Sequence, residues 1–195
     1  MTPRRSSMTR KTNETDVRVS VDLDGTGRTV LRTGVGFLDH LLMALARHAR
    51  LDLELECNGD LVVDDHHTAE DCALALGAAI DQALGERRGI ARFGSAFAPL
   101  DEALARAVID LSGRPFARLE LGLHRDKLGD LSCENVAHVL SSLAVAARAT
   151  LHVDVLCGEN DHHKAEAAVK ALALALREAV RRDNREDIPS TKGVL

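Results

Sequence analysis

One cluster occurs twice in this chain: Asp65-His66-His67-Thr68-Ala69-Glu70 returns as Asp161-His162-His163-Lys164-Ala165-Glu166. Each copy opens an apolar, helix-forming run, Cys72 to Leu76 after the first and Ala167 to Leu172 after the second. The likeness continues upstream. Phe37 to Arg50 reads as an amphipathic helix leading into the alternating Leu51-Asp52-Leu53-Glu54-Leu55, and Asn135 to Arg148 leads likewise into Ala149 to Val153. A sequence that repeats helix, strand and helix in register is built to fold as two similar halves.

Within that repeat His40 and His138 take the same early helical position, so each half carries three histidines and one glutamate. The sets are His40, His66, His67 and Glu70, and His138, His162, His163 and Glu166. His66 and Glu70 are one helical turn apart and share a face, as do His162 and Glu166. Imidazole and carboxylate together suit a borderline transition ion. A single such pair is ordinarily a solvated helix face; recurrence of the whole set in both halves is what argues for metal. Neighbouring helical residues point about 100° apart. The adjacent histidines are therefore expected to serve different ions, with sites completed by another half or another subunit. Coordination of this kind leaves room for water or substrate and favours manganese over zinc. Asp71 has Ala167 as its counterpart and is read as structural, and Asp65 and Asp161 as helix N-caps. His124 and His152, without histidine counterparts, are read as ordinary surface or strand residues.

Val17 to Leu23 alternates, Asp24-Gly25-Thr26-Gly27 signals a turn, and Arg28 to Leu31 follows as a second strand. Ala103 to Leu111 and Pro115 to Leu121 play the same parts later, around Ser112-Gly113-Arg114. The expected order is strand, strand, helix, strand (with room for a second short one) and helix, then the same again. That is an α+β arrangement with helices on one face of each sheet. Residues 1–10 read as a flexible tail, 11–88 as the first half-repeat, 89–184 as the second and 185–195 as a C-terminal tail that contacts substrate. Gly85 to Gly94 is the joint between the halves.

The 195 residues suffice for one domain with a substantial core. A net charge of −5 and the absence of Trp and Tyr argue against binding duplexes or stacking on bases. No apolar stretch approaches the roughly 18–20 residues of a membrane span, and the basic start lacks the apolar core of a secretory signal. The four cysteines (Cys57, Cys72, Cys133 and Cys157) form no C-x-x-C pair, which suggests a reducing, cytoplasmic setting. Donors suited to a phosphate lie in Arg87 to Gly94, in Ser112-Gly113-Arg114-Pro115, at Lys170 and in Ile188-Pro189-Ser190-Thr191-Lys192-Gly193. Singly each reads as a solvated charge. The C-terminal group is the most suggestive, because small hydroxyls and a Lys beside a Gly allow close approach to an anion.

Five segments, in order and with matching spacing, resemble the imidazoleglycerol-phosphate dehydratases. They are Gly34 to His40, Gly59 to Asp71, Ser112 to Pro115, Gly158 to His163 and Ile188 to Gly193. The resemblance runs from about Arg10 to the C-terminus. With no room for the extra N-terminal phosphatase domain of some bacterial versions, it is to the single-function form.

The resemblance implies two halves, each a four-stranded sheet with helices on one face, a ribosomal protein S5 domain 2-like duplication. It implies a homo-oligomer of trimers assembling into a 24-subunit shell, with two Mn(2+) per active site between subunits. The implied metal ligands are His40, His66, His67, Glu70, His138, His162, His163 and Glu166, the set that the repeat itself selects. The implied reaction is dehydration of D-erythro-imidazole-glycerol phosphate to imidazole-acetol phosphate in histidine biosynthesis. The carbon that loses a proton has no neighbouring carbonyl. Its acidity must come from the ring, as a metal-stabilised imidazolate that passes through a diazafulvene-like intermediate. The resemblance assigns proton transfer to Glu14, with His48 and Asp101 as further active-site groups. Phosphate contacts carry over to Arg92, Arg114, Lys170, Ser190 and Lys192. One segment departs from the pattern: Ala137-His138-Val139-Leu140 stands where many relatives have Glu-His-Phe-Phe, which keeps the ligand and loses two aromatics.

Two other classes use the same residues. A dinuclear metallohydrolase of a phosphorylated small molecule would use the ligands to make a metal-bound hydroxide, but that does not explain the full motif order. A metal-clipped assembly scaffold would make Glu14 dispensable.

Overall fold

The computed structural model describes residues 3–183, 187–193 and 195. The first half comprises β1 (Arg5–Lys11), β2 (Thr15–Asp22), β3 (Thr29–Arg32), α1 (Gly36–Ala49), β4 (Asp52–Gly59) and α2 (His66–Leu84). The second comprises β5 (Phe93–Leu100), β6 (Ala103–Asp110), β7 (Phe116–Glu120), the short hairpin β8 (Lys127–Leu128) and β9 (Leu131–Ser132), α3 (Cys133–Ala146), β10 (Thr150–Cys157) and α4 (Asp161–Ala179). The sheets run β1-β2-β4-β3 and β5-β6-β10-β7, the same order twice. In each, the last strand pairs parallel to its neighbour and the others pair antiparallel. The duplication seen in the sequence is thus a duplication of topology, with the β8–β9 hairpin an insertion in the second half alone.

Alternation places Val17, Val19 and Val21 of β2 and Leu53 and Leu55 of β4 on the inner face of the first sheet, all buried. α1 and α2 cover that face, and α3 and α4 cover the second sheet. The helices then meet across the halves, α1 on α4 and α2 on α3. At the second crossing the backbones come close: a Cβ on Gly77 would stand 2.6 Å from the Leu143 carbonyl oxygen and 2.8 Å from the Ala146 Cβ. Where all four helices converge, Leu38, Leu42, Leu76, Val139, Leu140 and Leu172 help to line an apolar cavity of about 20 Å³. Val139 and Leu140 belong to the segment that departs from the pattern implied by the resemblance. A void of that size costs about 0.5 kcal/mol, so the helices pack closely around these side chains.

Each sheet has an edge strand that the residue pattern did not reveal. The stretch expected to be a flexible tail at residues 1–10 contains β1, which pairs with β2 from Arg5↔Asp22 to Lys11↔Asp16. Its inward residues are Ser6, Met8 and Arg10, not an apolar alternation. Polar bonds dock it instead: the Ser6 hydroxyl donates to the Ala79 carbonyl at 2.6 Å, and Arg10 Nε donates to Asp71 at 2.6 Å. The joint assigned to Gly85–Gly94 likewise ends inside β5. Here the small residues Gly94, Ala96 and Ala98 face the helices while Phe93 and Phe97 point to solvent. The cause is proximity, since a Cβ on Gly94 would lie 1.9 Å from the Ala175 carbonyl oxygen of α4. Of the two terminal tails, residues 1, 2, 185, 186 and 194 lie outside the described residues, as does residue 184 at the end of the second half.

Asp65 and Asp161 do not cap their own helices by side-chain hydrogen bonds. Asn160 caps α4 by accepting from the His162 N–H at 2.9 Å. Asp161 instead accepts from the backbone N–H groups of His124 and Arg125 and from Lys164 Nζ. Burial alone would raise its pKa, but these donors outweigh it and hold the carboxyl at about 2. Asp65 reaches into the other half and accepts from the Ser132 N–H and hydroxyl and from Asn135 Nδ2 at the start of α3. Asp130, in the β8–β9 turn, makes the reverse crossing and accepts from the N–H groups of Gly36 and Phe37 at the start of α1. No helix of the described residues is long and apolar enough to cross a membrane.

The β2–β3 turn is gathered on one carboxylate. Asp52 Oδ1 accepts from the N–H groups of Thr26, Gly27 and Arg28 at 2.7, 3.0 and 3.0 Å, and Oδ2 accepts from the Arg28 guanidinium. Burial works against its charge, but these donors more than offset that and hold the pKa below the usual carboxylate range. A depressed folded-state pKa adds stability that is fully present above the unfolded-state value near 4 and is lost as pH falls. Asp52→Ala should lower the unfolding free energy by about 1–3 kcal/mol at neutral pH. In urea melts the gap from the parent protein should narrow below about pH 4; a constant gap would refute the assignment.

Candidate metal centre

The helix crossings bring the ligand residues of one half onto those of the other. His40 on α1 joins His162 and Glu166 on α4, and His138 on α3 joins His66 and Glu70 on α2. In each trio the potential ligand atoms all lie within 4.8 Å of one another. Glu166 Oε2 is 2.9 Å from His40 Nε2 and 3.2 Å from His162 Nε2. Glu70 lies 3.3 Å from His138 Nε2 and 3.9 Å from His66 Nε2, and the His66 and His138 rings stack with centroids 4.8 Å apart. Phe37 closes the first trio, its ring 5.7 Å from His40 and 5.1 Å from His162.

The donor set fits a divalent transition ion: two imidazoles and one carboxylate per trio, with positions left for others. His138 Nε2 is buried and has no hydrogen-bond partner among the described residues, although it faces Glu70. A buried imidazole nitrogen left this way lacks something to bind, and a cation between it and Glu70 would supply that.

His67 and His163 stand apart from both trios. The His66 and His67 rings are 77° apart in plane, and those of His162 and His163 are 87° apart. Adjacent helical residues thus diverge here as expected. His67 Nδ1 is 3.0 Å from Asp60 Oδ2, and His163 Nδ1 is 2.7 Å from Glu102 Oε2. A carboxylate can only accept, so both rings carry the proton on Nδ1 and present Nε2. The hydrogen bond to Asp60 raises the His67 pKa, and that to Glu102 raises the His163 pKa. The Glu102 carboxyl is itself held at about 2 by the N–H of Asn160 and by His163. Asn135 Oδ1 accepts from His66 Nδ1 at 3.0 Å, so this ring too presents Nε2.

The duplication extends to the remaining acids. Glu14 lies in the β1–β2 turn with Oε1 3.7 Å from His67 Nε2, and Asp101 lies in the β5–β6 turn with Oδ2 3.8 Å from His163 Nε2. Both are exposed, and each sits in the first hairpin of its half. Nothing in the residue pattern connected them, because the hairpins depend on β1 and β5. Asp60 and Glu102 were missed as partners for a different reason: they occupy non-equivalent loops, Asp60 after β4 and Glu102 between β5 and β6.

The other candidates fall into two places. Lys170 is 2.6 Å from Glu166 Oε1. Burial would raise the Glu166 pKa, but Lys170 and His40 overcome this and hold it at about 2. His48, on the last turn of α1, has its pKa lowered by burial and then by Lys170, so it belongs to this side. Arg92 and Arg114 gather elsewhere, around Asp110. The C-terminal segment meets them there: Arg92 Nη1 donates to the Pro189 carbonyl at 2.6 Å, next to Ser190, whose hydroxyl accepts from the Lys192 N–H. A Cβ on Gly113 would lie 2.9 Å from the backbone of Leu195, so only glycine admits the chain end at that point. Within one chain, therefore, Lys170 stands with the first trio and the other four phosphate candidates lie around Asp110. Asp71 accepts from Arg10 and Thr15 and is structural.

Known proteins resemble this chain over nearly its whole length. The sequence profile of the imidazoleglycerol-phosphate dehydratase family matches residues 33–176. The chain is 52% identical to the imidazoleglycerol-phosphate dehydratase of Kluyveromyces lactis, over 98% of this chain and 97% of that one. It is 58% identical to that of Phytophthora nicotianae over 98% of its own length, spanning 42% of that longer protein. The crystal structure of the Pyrococcus furiosus enzyme in complex with (S)-C348 superposes with a TM-score of 0.84 at 36% identity, over 96% of this chain and 100% of that one.

If Glu102 and Asp60 hold their histidines in the metal-binding tautomer, Glu102→Gln and Asp60→Asn should each weaken divalent-metal affinity by roughly 10–100-fold. Titration against a competing chelator measures this directly. Affinities equal to that of the parent protein would show that neither carboxylate positions a ligand.

Proposed function

The chain belongs to the imidazoleglycerol-phosphate dehydratase family of hydro-lyases, and from that premise we propose that it dehydrates D-erythro-imidazole-glycerol phosphate to imidazole-acetol phosphate in histidine biosynthesis. The observation that carries this reading is the pair of two-histidine, one-glutamate trios, each drawn from both halves. His40, His162 and Glu166 would hold one divalent ion and His66, Glu70 and His138 a second, with manganese favoured by the open coordination. When bound, the two ions would supply the Lewis acidity that makes the substrate's imidazole ring an electron sink, as an imidazolate and diazafulvene-like course requires.

His67 and His163 point their Nε2 atoms away from the trios of their own chain, toward Glu14 and Asp101. They would complete trios on neighbouring copies; the family resemblance implies that the copies assemble as trimers building a 24-subunit shell. Glu14 travels with His67. It would arrive beside the neighbour's trio from the solvent side, where a carboxylate can take the proton from the carbon next to the ring-bearing one. Asp101 travels with His163 in the same way, and His48 with Lys170 lines the side of the first trio. Arg92, Arg114, Ser190 and Lys192 would hold the phosphate, with Lys170 brought from another copy. Four free cysteines and a biosynthetic role support the reading of the enzyme as cytoplasmic.

Glu14→Gln should keep metal content and particle size while lowering kcat by about 10²–10⁴-fold. Activity close to that of the parent would overturn the assignment of Glu14. Complete chelation should abolish dehydration of imidazole-glycerol phosphate and shift the sedimentation coefficient toward smaller species. Sedimentation unchanged after verified metal removal would mean that the ligands do not bridge subunits.

A further inference from the structure

Asp110 closes β6, three residues before Gly113, and faces two of the arginines assigned to the phosphate, Arg92 and Arg114. It accepts from Arg92 Nε at 2.7 Å and from Arg92 Nη2 at 3.1 Å. Arg114 Nη2 approaches the same carboxylate to 3.8 Å. The backbone of Arg92 is held on both sides: its N–H donates to the Ala179 carbonyl of α4, and its carbonyl accepts from the Leu111 N–H. Its φ of 70° lies in the left-handed region, so the chain turns sharply there and directs the side chain toward Asp110 and Pro189.

A guanidinium offers five N–H donors in one plane. Asp110 takes two along the Nε–Nη2 edge, and the Pro189 carbonyl takes one from Nη1. One donor remains on Nη1 and one on Nη2. Both sit at the far end of the guanidinium, where a phosphate can approach. The arginine is thereby oriented, with 12% of its side chain exposed.

We propose that Asp110 is a positioning residue for the substrate's phosphate: it orients Arg92 and draws Arg114 to the same side, so that two outward donors and a second guanidinium meet one phosphate. The proposal rests on the phosphate-binding reading of Arg92 and Arg114 above. A carboxylate close to a phosphate dianion also repels it. Asp110 is therefore worth its place only if the orientation it imposes gains more than that repulsion costs.

The two effects have opposite signs, so the test is direct. In the metal-loaded enzyme, Asp110→Asn puts an amide N–H against Nη2 and loses the two-point grip. The expected result is a KM for imidazole-glycerol phosphate raised about tenfold, with kcat within about twofold. The inhibition constant of inorganic phosphate should rise in parallel while that of free imidazole, a probe of the ring end, stays unchanged. Asp110→Glu keeps the charge but displaces the carboxylate, and should raise KM in the same direction; it also serves if the Asn variant folds poorly. A KM and phosphate inhibition constant that fall or stay constant in both variants would overturn the proposal and leave Asp110 a charge-balancing residue. Arg92→Ala and Arg114→Ala are the controls. If they too leave KM and phosphate inhibition unaltered, the phosphate pocket itself is misassigned.

Discussion

The contact between helices of opposite halves carries the rest of this structure. Each sheet and its two helices resemble the other half, but among the described residues no ligand trio lies within one half. His40 needs α4, and His138 needs α2. The close α2–α3 crossing at Gly77 and the convergence of four helices on one apolar centre are therefore metal-site geometry as well as core packing. Apolar contact sets the distance between helices, and polar bonds across the boundary set their rotation. Asp65 reaches the start of α3 and Asp130 the start of α1, so each carboxylate also meets the positive end of a helix that carries a ligand histidine.

Much of the site was legible before folding because it was written twice. Recurrence in register picked out all eight ligand candidates and the divergence of adjacent histidines. Recurrence could not say which residues of the two units would meet. Each half carries three histidines and a glutamate, and the residue pattern leaves open whether another half or another subunit completes each site; the folded chain groups two histidines and a glutamate across halves. That exchange depends on helix packing between units, which leaves no periodic mark in either one.

The strands that escaped notice show a related limit. Pattern reading looks for apolar side chains on the buried face. β1 docks through Ser6, Met8 and Arg10, and β5 through glycine and alanines pressed against α4, so each hides its inward face from that rule. Since Glu14 and Asp101 sit in the hairpins that these strands form, missing the strands also concealed that the two acids are counterparts. Only family resemblance singled them out, one as a proton carrier and the other as a lesser contact. The capping role given to Asp65 and Asp161 failed for a different reason. A carboxylate just before a helix can turn outward when a neighbouring segment offers stronger donors.

The crossed trios also constrain how such a protein could be shortened. A single sheet with its two helices holds a histidine and a glutamate of one trio and one histidine of the other, with the remaining three ligands on the absent half. A protein of half this length could carry the centre only as a symmetric pair, α1 of one copy against the second helix of the other. Such a pair would have two identical trios. Fusion removes the need for association and frees the copies to differ, as the β8–β9 hairpin and the unlike acids Glu14 and Asp101 already do.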